Sequence, residues 1–117
     1  MVVPKSSLSL PGELQRGLEN ALQQIVEVTH PQAVILFGSW TEGHAVEGSD
    51  VDILVVAETE RPFHLAAHLR PLLRERLAGR RVDVVVITPE DWERLRDIPG
   101  QVVHEAARYG VRLYDAA

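Results

Sequence analysis

The stretch LFGSWTEGHAVEGSDVDILVV, residues 36–56, decides how the rest of the chain is read. It begins inside a short apolar run, Ala33 to Phe37, that is closed by Gly38-Ser39. Ten residues later Asp50-Val51-Asp52 opens a second apolar run, Val51 to Ala57. Continuous apolar runs of this length, bounded by glycine and serine, read as buried strands. Side chains two apart on a strand share a face, so Asp50 and Asp52 present two carboxylates side by side where the second strand starts. A third run, RVDVVVI at 81–87, carries one acid, Asp83. If the second and third strands are neighbours, Asp83 stands beside the pair.

Taken singly, each aspartate is an ordinary turn or strand-start residue, and one Gly-Ser dipeptide carries little information. The joint pattern carries more. Like charges this close are tolerated on a solvated rim or around a divalent cation, and hard oxygen donors suit Mg²⁺. Three carboxylates on one sheet face could hold two Mg²⁺ ions, the arrangement used for in-line phosphoryl or nucleotidyl transfer. Glycine at a strand end lets the backbone come close to a ligand, and exposed N–H groups with the Ser39 hydroxyl can bond phosphate oxygens.

Outward from this centre, Leu14, Leu18, Leu22, Ile25 and Val26 predict a first helix from about Pro11 to Thr29, ended by His30-Pro31. Leu65, Leu69, Leu72, Leu73 and Leu77 predict a second, from Pro62 to near Gly79, kinked or split by Pro71. Val82 to Ile87 is the third strand. Thr88-Pro89-Glu90-Asp91 is a helix start with a hydroxyl cap and early acids. A further helix runs to about Tyr109, and Val111 to Tyr114 forms a short edge strand. The expected fold is α/β (α+β): a short mixed sheet, helices against one face, and Asp50, Asp52 and Asp83 clustered at an open rim.

The length of 117 residues and a composition 45% hydrophobic and 25% charged predict one ordinary globular domain spanning 1–117. There is no cysteine, which excludes disulfides and thiolate metal sites. No apolar run reaches membrane-span length and the N-terminus lacks the apolar core of a signal peptide, so a cytoplasmic protein is expected. A formal charge of −5 argues against broad attraction to nucleic acid or anionic lipid. Its distribution is uneven. From Trp40 to Glu60 there are six acids and no Lys or Arg, whereas Arg61, Arg70, Arg74, Arg76, Arg80 and Arg81 face only Glu75 between 61 and 81. The second stretch reads either as a solvated helix face or as a partner or phosphate surface.

LFGSWTEGHAVEGSDVDILVV together with RVDVVVI resembles the minimal nucleotidyltransferases of the DNA polymerase beta superfamily, and is most similar to the small antitoxin members paired with HEPN-domain toxins. The resemblance implies the nucleotidyltransferase fold, with Asp50, Asp52 and Asp83 binding Mg²⁺. It implies that Asp83 helps to deprotonate the acceptor hydroxyl and that Gly38 and Ser39 hold the triphosphate. It also implies ATP as substrate and transfer of AMP to a tyrosine of a helical HEPN toxin. The alternative is a non-catalytic antitoxin or nucleotide-binding module on the same fold. Many relatives carry arginine directly after Gly-Ser, where this chain has Trp40-Thr41-Glu42.

Other signals are weaker. Gly38 to Gly43 has the glycine spacing of a P-loop, but His44 and Ala45 stand where the lysine and hydroxyl are needed. His64 and His68 share a helix face without a carboxylate to complete a zinc motif. Trp40 is either a lid over a nucleotide base or an anchor for its loop, and Trp92 reads as core.

Overall fold

In the computed structural model, residues 10–116 are described, and the N-terminal stretch read above for a leader lies outside them. Helix α1, Gly12–Thr29, buries Leu14, Leu18, Leu22 and Ile25 along one side. It stops where His30 turns left-handed (φ 46°) ahead of Pro31, with the His30 N–H donating to the Val26 carbonyl at 3.0 Å. Strand β1, Ala33–Phe37, follows, then a single helical turn α2, Ser39–Glu42. Strand β2 is Val51–Val56, helix α3 Pro62–Arg76 and strand β3 Val82–Ile87. Helices α4, Pro89–Leu95, and α5, Val102–Tyr109, lead to strand β4, Val111–Asp115.

The strands form one sheet in the order β3-β2-β1-β4. β1 runs antiparallel to β2 and β4, while β2 and β3 are parallel, so the sheet is mixed. A parallel pair needs a crossover, and α3 supplies it. Alternate residues of the central strands separate into two cores. Val34, Leu36, Val51, Ile53 and Val55 pack with α1 and α3. Ala33, Ile35, Leu54 and Val56 pack with Trp92, Val103 and Ala106 of α4 and α5. Helices therefore cover both faces, not the one expected. The continuous apolar runs of β1 and β2 have the physical reason in them, since a strand with water on one face alternates.

Pro71 does not split α3, which runs unbroken past it. Pro71 lies on the exposed side, as does Ala67, whose carbonyl the proline ring leaves unbonded. Water can satisfy that carbonyl. The hydroxyl cap expected at Thr88 is present, its Oγ1 accepting from the Asp91 N–H at 3.2 Å. Thr88→Ala is expected to cost about 1 kcal/mol, read as a small shift of the denaturation midpoint with an unchanged slope.

Candidate active site

Asp52 and Asp83 are register partners across the parallel β2–β3 pair. Neighbouring strands lie about 4.8 Å apart, and both residues alternate away from the α1–α3 core, so the two carboxylates occupy adjacent places on the α4–α5 face. Phe37 continues the same row on β1, opposite Asp52. The short α4 and α5 pack over Ala33, Ile35, Leu54 and Val56, towards the other end of these strands; Phe37 packs against the edge of that cluster, and the Asp83 end of the row stays exposed. Asp50 sits in the turn just before β2 and Asp83 is exposed, whereas Asp52 is half-buried.

The electrostatics register this proximity. The Asp52 carboxyl is pushed up from 3.8 to about 6, first by burial, then by the negative charges of Asp83 and Asp50. Gly38 meets the same side chain from β1. Its backbone is at φ 83°, ψ −153°, and a Cβ placed there would collide with the Asp52 carboxylate. Only glycine lets the end of β1 pass this close. Ser39 then opens α2, whose turn is tied by the Gly38 carbonyl accepting from Thr41 N–H at 3.0 Å and Glu42 N–H at 3.1 Å.

Trp40 acts as the loop anchor of the two readings offered by the sequence. Its ring packs against the α1–α3 core and its Nε1–H points to the Ser49 carbonyl at 3.4 Å. Ser49 closes the turn by donating its N–H to the Val46 carbonyl and accepting the Val46 N–H on Oγ, both at 2.9 Å. Trp92 is core, as expected. His64 and His68 line a shallow surface groove with Thr59, Glu60, Arg61 and Leu65.

The sheet register thus brings Asp52, Asp83 and Gly38 together, with Asp50 and Ser39 at the flanks. The side chains are not drawn into a ready cage: among the described residues no three His, Cys, Asp or Glu groups form a metal-holding cluster. Asp50 is instead turned towards Arg81, with Nε to Oδ1 at 3.6 Å. That contact was not anticipated, although Arg81 lies two residues before Asp83 on the same strand face. Carboxylate oxygens are nevertheless the donors a hard divalent cation takes, and the Asp52 pKa is raised by burial first and by the charges of Asp83 and Asp50 second.

Comparison with known proteins agrees with this geometry. Residues 16–104 match the family model described as a nucleotidyltransferase domain. The chain belongs to that family. A solved protein taken to be a minimal nucleotidyltransferase is 30% identical, with 80% of this chain and 85% of that one covered and a TM-score of 0.55. A toxin–antitoxin structure with AMP-PNP is 23% identical over 83% of this chain and 73% of that one, with a TM-score of 0.60. A Sulfolobus solfataricus protein taken to be a nucleotidyltransferase is 16% identical over 92% and 91%, with a TM-score of 0.52. Among curated proteins none matches. The fold is that of the minimal nucleotidyltransferases. No helix among the described residues is long and apolar enough to cross a membrane.

Proposed function

We propose that the chain is a Mg²⁺-dependent nucleotidyltransferase that moves AMP from ATP to a hydroxyl on another protein, a tyrosine of a helical HEPN toxin. The observation that carries this reading is the pairing of Asp52 with Asp83 under Gly38. Asp50, Asp52 and Asp83 would hold the divalent cation. Once bound, Mg²⁺ would supply neutralisation of the phosphates and polarisation of the phosphoryl oxygens. Gly38 and Ser39 contribute backbone N–H groups and a hydroxyl to the triphosphate. Exposed Asp83 is the carboxylate best placed to take the proton from an incoming hydroxyl as it attacks the α-phosphorus and pyrophosphate departs.

The partner follows from the openness of the row. The sheet and its covering helices account for residues 12–115, and within them no further unit is available to grip an acceptor. The toxin–antitoxin relative solved with AMP-PNP supports both the nucleotide and the kind of partner. Exposed Arg70 and Arg74 on α3 and the outer edge of β4 are the proposed docking surfaces. The whole of 1–117 would act as one such domain.

A non-catalytic antitoxin on the same fold is the second reading, favoured by the pairing of Asp50 with Arg81. Mass spectrometry of a candidate helical HEPN toxin, after incubation with this chain, ATP and Mg²⁺, separates the two. One or more AMP units, lost with Asp50→Asn, support transfer. Tight binding without a mass change supports the second reading.

A further inference from the structure

Resting on the nucleotidyltransferase reading, we propose that Arg81 is the phosphate-gripping residue of the site: it holds Asp50 in the free protein, and hands Asp50 over to the divalent cation when it turns to the triphosphate.

Three observations support this. The first is placement. After α3 the chain reverses through Ala78 (φ 56°) and Gly79 (φ 78°), then runs extended into β3. Successive residues of an extended chain point to opposite faces. Arg80 accordingly lies over the Trp40 ring at 5.9 Å, on the α1–α3 side, and Arg81 reaches Asp50 at 3.6 Å, on the side of Asp83. The Arg81 carbonyl accepts the Val51 N–H at 2.9 Å, so its backbone is fixed beside the residue that separates Asp50 from Asp52.

The second is charge. From Trp40 to Glu60 the chain contains no Lys or Arg, and the row holds Asp52 and Asp83 with Asp50 at its flank. A nucleoside triphosphate adds several negative charges at the same rim. A cation brought from another segment is needed, and the β3 lead-in brings one.

The third is lability. The Arg81 and Asp50 side chains are 78% and 44% exposed, and an open ion pair of this length is held weakly. A divalent cation on Asp50 and a guanidinium beside it repel each other. A phosphate oxygen is the natural next partner, because the planar guanidinium presents its donors in a fork that matches phosphate.

Calorimetric titrations of the full chain with Mg²⁺ alone, ATP with Mg²⁺, and AMP with Mg²⁺ test this on wild type, Arg81→Ala and Arg81→Lys. Arg81→Ala is expected to weaken ATP binding about tenfold or more, to change AMP binding by less than about twofold, and to tighten binding of Mg²⁺ alone. Arg81→Lys is expected to recover part of the ATP affinity, as a charge without the fork. Unchanged ATP affinity in Arg81→Ala, with metal-dependent binding intact in wild type, overturns the role of Arg81 and leaves the proposed function standing. Equal losses for ATP, AMP and Mg²⁺ also overturn it, since a structural defect would act on all three. Absence of metal-dependent ATP binding in wild type overturns both proposals.

Discussion

Asp52→Asn is expected to abolish Mg²⁺-dependent nucleotidyl transfer while making the protein more heat-stable at neutral pH. The catalytic loss is expected to exceed a hundredfold, because removal of a group that merely orients a metal ligand already costs about 10–100-fold. The gain in stability has the opposite cause. The Asp52 carboxyl titrates near 6 in the folded chain against 3.8 in its ordinary state, so the folded protein holds this proton more tightly than the unfolded one. Below the lower value both states are protonated and the group contributes nothing adverse. Between the two values stability falls as pH rises, and above about 6 the full penalty remains. Two pKa units correspond to nearly 3 kcal/mol, but the side chain is partly open to water, and screening reduces this to about 1 kcal/mol. Asparagine keeps the shape and removes the charge. Its melting temperature is expected to exceed that of wild type by about 3–6 °C at pH 8 and to match it near pH 4. A gap of the same size at both pH values would assign the gain to packing instead. Added Mg²⁺ is expected to stabilise wild type and leave the variant unmoved.

Gly38→Ala is expected to be the most damaging single methyl addition at the site. At φ 83°, ψ −153° the backbone occupies a region essentially reserved for glycine, worth about 1–3 kcal/mol in strain for any other residue. The new Cβ would also run into the Asp52 side chain, with Cγ only 3.1 Å away. Together these are expected to cost about 3 kcal/mol or more and to lower the melting temperature by at least about 10 °C. The two parts separate in a double-mutant cycle. Asp52→Ala placed on Gly38→Ala is expected to restore the part due to collision and to leave the part due to backbone strain. Strict additivity in urea denaturation would show that the two residues do not meet.

The pattern of β1, β2 and β3 was legible in the sequence because each is a short, largely apolar run with a sharp stop. Ala33–Phe37 and Val82–Ile87 have the bounds expected of them. The aspartates were legible as a set for the same reason, since Asp52 and Asp83 are charges interrupting such runs and Asp50 stands directly before one. Three things were not. The turn α2 is too short to show a helical period, and its hydrogen bonds close on the Gly38 carbonyl, which no side-chain pattern reports. Pro71 reads as a breaker, but the side of α3 facing water can lose a hydrogen bond that a buried side could not. Arg81 reads as one member of a basic run, and its meeting with Asp50 emerges only from the parallel register of β2 and β3, which sets Val51 beside Val82.

The sheet ends at β3, with β2 lying one place further in. An edge strand has hydrogen-bonding groups on one side that no neighbouring strand shields, and it opens more readily than the strand inside it. In amide-exchange terms, protection is expected to be higher for Asp52, whose strand is flanked by β1 and β3, than for Asp83. Asp52 and Gly38 then form a fixed seat on the inner strands, and Asp83 rides on a segment that breathes. An acceptor arriving from solution would meet the yielding carboxylate first, and could press it into place without disturbing the rest.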